Sequence, residues 1–246
     1  MRRFLIMLIA LLCMAPALAA QPTDWSKVAT RQPDGSFVLG NPDAKVKLVE
    51  FLSLTCPHCA KFEGEAIAPL TAKYIQTGQV SYEVRHALRD VFDLSASLLA
   101  RCDGPTAFFS AAPTLFATQD QWIGKAVEWS KTAPDATNTP QEKLLQMVAH
   151  GAGLDEFFAA RGVNQAKADA CLANGTERDT LVAMANDAWH RPNFPGTPAF
   201  LINGVLQQDL ATWADMDKRL AAATKAQPAS FKAPHPSPLK TPRKKL

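Results

Sequence analysis

Cys56 and Cys59 stand two residues apart, with Pro57 and His58 between them. At that spacing two sulfurs can close a disulfide and open it again, provided one of them is reachable and partly ionised at neutral pH. A strand-to-helix junction meets both conditions. Val46 to Leu54, just ahead of the pair, is a near-continuous apolar run of the kind found in buried strands, and a helical pattern follows it. Cys56 is then expected at a helix N-terminus, exposed, where unpaired N–H groups and the helix dipole favour a thiolate. Pro57 falls in the first turn, where its missing N–H sacrifices no hydrogen bond. Cys59 lies a turn further in and less exposed. His58 can set a positive charge or an N–H beside the Cys56 sulfur. The chemistry is dithiol–disulfide exchange: Cys56 attacks or is attacked, Cys59 resolves the mixed disulfide, and no bound cofactor is needed. Zinc is the competing use of such a pair, but it needs two further ligands, and the chain has no second C-x-x-C and no closely spaced His pair. A purely structural bridge gains little closure entropy from a two-residue loop.

The elements that must position this pair follow from the apolar pattern. Ser36 to Leu39 reads as a short strand and Val46 to Leu54 as a stronger one. A helix from the motif to about Ile75 has Phe62, Ala66, Ile67 and Leu70 on one face, Pro69 as a kink and Gly78 as a stop. Val80 to Val84 reads as a second buried strand, so the chain opens as an α/β fold. From Asp93 to Trp189 strand signals almost vanish. Helices are expected near Leu94 to Leu99, Ala107 to Phe116, Gln121 to Trp129, Gln141 to His150, Leu154 to Ala160, Asn164 to Leu172 and Glu177 to Trp189, with Gly162 and Gly175 at helix ends. Strands return at Ala199 to Ile202 and Val205 to Gln208 around Asn203-Gly204, a strong hairpin signal, and Asp209 to Ala223 reads as a last helix. Gly196-Thr197-Pro198-Ala199-Phe200 sets a proline just before the hairpin, where a cis Thr197–Pro198 bond would offer the Thr197 backbone as an edge for a substrate strand.

The two ends of the chain bear on its compartment. Arg2 and Arg3 precede an apolar run, Phe4 to Met14, and Ala17-Leu18-Ala19 supplies small residues for a signal peptidase. These read as a cleavable signal peptide cut near Ala19, which discards Cys13 and sends the mature chain to the periplasm. The formal net charge is +3, from 26 basic and 23 acidic side chains. Six of the basic residues lie beyond Thr224 in a Pro-rich tail with no acids. That leaves the expected folded part net acidic and gives no nucleic-acid signature. The expected organisation is a signal at 1–19, a first α/β part at 20–92, a helical insertion at 93–190, a second part at 191–223 and a disordered basic tail at 224–246. Trp122, Trp129, Phe108 and Phe109 read as core of the insertion, with a substrate groove as the alternative. His86, His150, His190 and His235 show no ligand spacing.

Cys56-Pro57-His58-Cys59, together with the Thr197-Pro198 element and the order of elements around them, resembles the bacterial periplasmic thiol–disulfide oxidoreductases called DsbA. The resemblance covers about Val46 to Ala223. It implies a thioredoxin fold with an inserted helical domain, a role donating disulfides to reduced, newly exported proteins, and reoxidation by a DsbB-like, quinone-linked membrane protein. A monomer is expected. Glu50 matches a family position, a buried acid beneath the active site able to accept or relay the Cys59 proton; a buried carboxylate is costly without such a use. Thr197 departs from the valine of the best-known strong oxidases and is familiar in isomerases and reductases of the wider group. Against an isomerase, only about 25 residues lie between the expected signal and the first strong strand, too few for a separate dimerisation domain. A client-binding chaperone on the same fold is a further alternative. Cys102 and Cys171 are too far apart for a redox motif and read as a structural disulfide stapling the insertion, with two free thiols as the alternative. Four mature cysteines allow three connectivities.

Overall fold

The computed structural model describes residues 23–226, so the expected signal peptide and nearly all of the basic tail lie outside the described residues. Six strands form one mixed sheet: β1 (Ala29–Arg31), β2 (Phe37–Leu39), β3 (Val46–Leu52), β4 (Val80–His86), β5 (Ala199–Ile202) and β6 (Val205–Gln207), in the order β1-β2-β4-β3-β5-β6. The central pair β3 and β4 is parallel and every other pair antiparallel. A parallel pair needs a crossover, and α1 (Pro57–Leu70) supplies it. In β3 every residue but Lys47 is buried, which is what its unbroken apolar run requires of a strand covered on both faces.

Cys59, Phe62, Glu63, Ala66 and Leu70 are the buried residues of α1, three or four apart and so on one face. Phe62 packs on Phe200 of β5 with ring centroids 4.6 Å apart, a burial that stabilises by about 2 kcal/mol. Pro69 has no N–H to donate one turn back, and the helix continues beyond Leu70 as a wider π turn over Thr71–Ile75. At the hairpin, Asn203 (φ 50°) and Gly204 (φ 81°) are both left-handed, the pair of conformations a two-residue turn between twisted strands demands.

Between β4 and β5 the chain runs through seven helices: α2 (Val91–Ala100), α3 (Gly104–Ala117), α4 (Gln119–Thr132), α5 (Gln141–Gly151), α6 (Leu154–Ala159), α7 (Gln165–Leu172) and α8 (Gly175–Trp189). The last helix is α9 (Trp213–Lys225). This is a thioredoxin-like fold with a helical insertion. Cys102, in the turn after α2, is disulfide-bonded to Cys171 on α7, with Cα atoms 5.6 Å apart. Arg101 beside it ties the insertion to the sheet: it is 4% exposed, pairs with Glu177 of α8 at 2.6 Å, donates to the Gly35 carbonyl at 2.7 Å and lies 3.7 Å over the Phe37 ring.

Several boundaries differ from expectation for local reasons. Strand β1 had no apolar signal, because its three residues are half-buried or exposed at a sheet edge. Gly175 opens α8 rather than closing a helix, since the Asn174 side chain caps it by accepting from the Glu177 N–H. The last helix starts at Trp213, not Asp209: Asp209 is left-handed at φ 57°, and Thr212 caps the helix by accepting from the Asp215 N–H. It ends at Lys225, so Thr224 and Lys225 belong to the helix and not to the tail. Phe108 and Trp122 are buried, whereas Phe109 and Trp129 are only partly covered.

Candidate active site

Cys56 is the N-cap residue of α1, Pro57 its first residue, and Cys59 its third. The register of the sheet completes the site. Phe51 pairs with Ala199, which carries the end of β5 alongside the end of β3 and sets the Thr197–Pro198 peptide bond, in the cis form, against the motif. Cys56 Sγ lies 3.2 Å from the Thr197 carbonyl oxygen, to which it donates in its thiol form. Both cysteines are free thiols.

The structure corrects one expectation here. Cys56 is not exposed: only 2% of its surface is accessible, against 1% for Cys59. The cis-Pro loop and the first turn of α1 cover the sulfur. The difference between the two thiols therefore lies in their partners. The Cys59 thiol donates toward Cys56 and, against the opposing effect of burial, the Thr197 side chain and the backbone N–H groups of Cys59 and His58 also favour the Cys56 thiolate, which pulls its pKa down to about 5. Cys59 is pushed far above the ordinary thiol range, first by burial, then by its donation to Cys56 and by the Glu50 carboxylate. One sulfur is held as an anion and the other as a thiol, the asymmetry a nucleophile and a resolving partner need. His58 and Pro57 are exposed on the rim. The leading contribution of His58 is its backbone N–H rather than its ring.

Beneath the thiols lies a buried acidic cluster. Glu50 is 2% exposed and accepts from the Tyr82 hydroxyl at 2.6 Å. Burial raises its pKa to about 7, against the lowering effect of Tyr82 and helped by the Cys56 charge. Glu63 of α1 is a second such acid, raised to about 8 by burial and by Glu50. It lines a largely apolar cavity of about 530 Å³ between α1 and α3. Sequence reasoning singled out Glu50 and missed Glu63, although Glu63 stands four residues after Cys59 and so on the same buried helix face. It also missed the residues that hold the turn 53–56. Asp93 of α2 accepts from the Leu54 N–H at 2.9 Å and from the Ser53 hydroxyl at 2.6 Å. Gln119 of α4 donates to the Leu54 and Cys56 carbonyls at 2.7 and 3.1 Å. Thr55 donates to Asp90 at 2.8 Å.

Among the described residues no group of three or more His, Cys, Asp or Glu side chains is placed to hold a metal ion. No described helix is long and apolar enough to cross a membrane.

Comparison with known proteins agrees with this geometry. The family model described as Thioredoxin matches residues 32–222. A Rickettsia bellii protein, provisionally named a protein-disulfide oxidoreductase, is 32% identical over 180 residues, 73% of this chain; the match spans only 61% of that relative's length. The thiol:disulfide interchange protein DsbA of Bordetella parapertussis is 25% identical over 200 residues, 78% of this chain and 82% of its own. The crystal structure of a protein-disulfide isomerase from Novosphingobium aromaticivorans superposes with a TM-score of 0.70 at 33% identity, covering 78% of this chain and 99% of that one. With a helical insertion between β4 and β5, a C-x-x-C pair capping α1 and a cis-proline against it, the chain belongs to the thioredoxin family, among its DsbA-like thiol–disulfide oxidoreductases.

Proposed function

We propose that this protein is a periplasmic disulfide donor acting on reduced, newly exported proteins through Cys56 and Cys59. The observation that carries the reading is the polarised thiol pair, with the Cys56 sulfur favoured as an anion at the end of α1 and Cys59 held as a thiol above Glu50. In the oxidised protein a client thiolate attacks Cys56 Sγ. A client–Cys56 bond forms as the Cys56–Cys59 bond breaks, and the electron pair leaves on Cys59. Glu50 delivers the proton that Cys59 takes up, a role supported by its ready exchange of a proton near neutrality. A second client thiolate then attacks the client sulfur, closing the client disulfide and releasing Cys56 as a thiolate. Two electrons now rest on the Cys56/Cys59 dithiol, and a DsbB-like, quinone-linked membrane protein removes them. The Thr197 backbone beside Cys56 is the edge on which the client chain lies, next to Pro198. The protein works as a monomer.

The test is a pair of serine variants expressed with the full chain. Cys56→Ser abolishes oxidation of a reduced client peptide. Cys59→Ser accumulates mixed disulfides through Cys56 that a dithiol reductant releases. Full activity in Cys56→Ser overturns the reading and points to a chaperone instead. A second reading, disulfide isomerase, is favoured by Thr197 and by the name of the Novosphingobium relative. It expects the reduced protein, not the oxidised one, to rescue a client with mispaired bridges.

A further inference from the structure

The turn that presents Cys56 is gripped from outside the thioredoxin-like core. Its backbone closes on itself once, from the Cys56 N–H to the Ser53 carbonyl at 3.1 Å. Its other hydrogen bonds run largely to the insertion. Asp93 takes the Leu54 N–H and the Ser53 hydroxyl, and is itself anchored by the Arg89 N–H at 3.1 Å. On the opposite side Gln119, 5% exposed and the first residue of α4, reaches two carbonyls with one amide nitrogen. Among the described residues the Leu54 carbonyl has no other donor. The Cys56 carbonyl also accepts from the Ala60 N–H at 3.1 Å, the bond that begins α1.

We propose that Gln119 is a positioning residue for the Cys56 nucleophile: by carrying the Leu54 and Cys56 carbonyls it fixes the turn 53–56 so that the first N–H groups of α1 face the sulfur. The inference rests on the reading of Cys56 as nucleophile. Two physical effects support it. A buried carbonyl deprived of its donor relaxes the backbone toward any donor within reach, and the Cys56 backbone is where that movement re-aims the His58 and Cys59 N–H groups. The amide also sets its positive end against both carbonyl oxygens, so its loss leaves their dipoles unopposed within the turn that carries the thiolate. In this assignment the insertion does more than cover the sheet, because it sets the electrostatics of a cysteine outside it.

The experiment uses the purified mature protein and its Gln119→Met variant, which keeps the side-chain length and removes the donor. Ultraviolet thiolate absorbance gives the Cys56 midpoint, and the glutathione equilibrium gives the redox constant. Gln119→Met raises the midpoint by about one unit, a tenfold loss of thiolate below the midpoint, and makes the redox constant about tenfold less oxidising at neutral pH. A merely structural role moves neither quantity. Leu145→Ala, which loosens the buried face of α5 without touching the turn, lowers the urea midpoint and leaves both readouts in place. A folded Gln119→Met protein with unchanged Cys56 midpoint and redox constant overturns the proposal. Should that variant not fold, Gln119→Asn, whose amide stops one methylene short of the carbonyls, is read by the same two outcomes. A wild-type protein that does not exchange with glutathione at all instead sinks the Cys56 reading, and the two failures are told apart.

Discussion

Equilibrating the protein with glutathione across a range of pH measures how much oxidising power the Cys56 thiolate supplies. In the folded reduced protein Cys56 titrates at about 5. Thioredoxin's attacking cysteine, by comparison, titrates near 7 at a potential of about −270 mV. At pH 7 a thiol of pKa 7 is half ionised and one of pKa 5 almost wholly so. The difference stabilises the reduced form by about 2 kcal/mol, or roughly 50 mV at about 1.4 kcal/mol per 30 mV. The expected potential is therefore near −220 mV, on the oxidising side of thioredoxin. The sign follows from linkage. A depressed folded pKa contributes stability to the reduced form that is complete above the ordinary thiol value and is lost as pH falls through about 5. The potential consequently falls with pH at about 59 mV per unit below pH 5, where two protons accompany two electrons, and at about 30 mV per unit between 5 and 7, where one does. The break must coincide with the thiolate absorbance midpoint. A straight line at the steeper slope up to neutrality, with a potential at or below about −270 mV, refutes the reasoning and leaves a reductase that a partner must keep reduced.

Glu50→Gln removes a carboxylate that costs the fold stability when ionised, because its pKa rises to about 7 on burial. That stability is whole below the ordinary carboxylate range and is lost as pH rises through 7, so at alkaline pH the variant is more resistant to urea by up to about 3 kcal/mol. The same variant resolves mixed disulfides more slowly and loses the inflection near neutrality in a pH–rate profile. Replacing both Cys102 and Cys171 with alanine opens a loop of 69 residues. By chain entropy this costs about 4 kcal/mol, to be read as a lower urea midpoint than wild type under oxidising conditions; an unchanged midpoint refutes it. Arg101→Met removes one partner of a buried ion pair and lowers stability by about 3–5 kcal/mol, again by urea denaturation, although Phe37 keeps an apolar neighbour.

The half of the site that depends on local chain geometry was legible from the residues alone. A buried strand, two cysteines around Pro57 and a helical pattern place Cys56 at a helix N-terminus with no tertiary information, and the Asn203-Gly204 turn fixes the hairpin that follows Pro198. Glu63 was legible by the same helical period and was passed over because an acid on a helix is usually solvated. What the residues could not reveal was set by long-range register. Nothing within 141 residues of Cys56 announces that the Thr197 carbonyl will lie 3.2 Å from its sulfur; that contact follows from Phe51 pairing with Ala199. The same neighbourhood is why Cys56 is buried where a bare helix end would leave it open. Asp93 and Gln119 illustrate the limit most sharply. Each is a polar residue in the first turn of a helix, just ahead of where the apolar pattern begins, a position where such side chains commonly serve the helix itself. Folded, Gln119 turns away from that duty and Asp93 adds to it, and both complete a turn that lies 65 and 39 residues away at Leu54. A local rule assigns a polar residue to its own element first. Only the tertiary arrangement shows that the element was built to bring that residue to another.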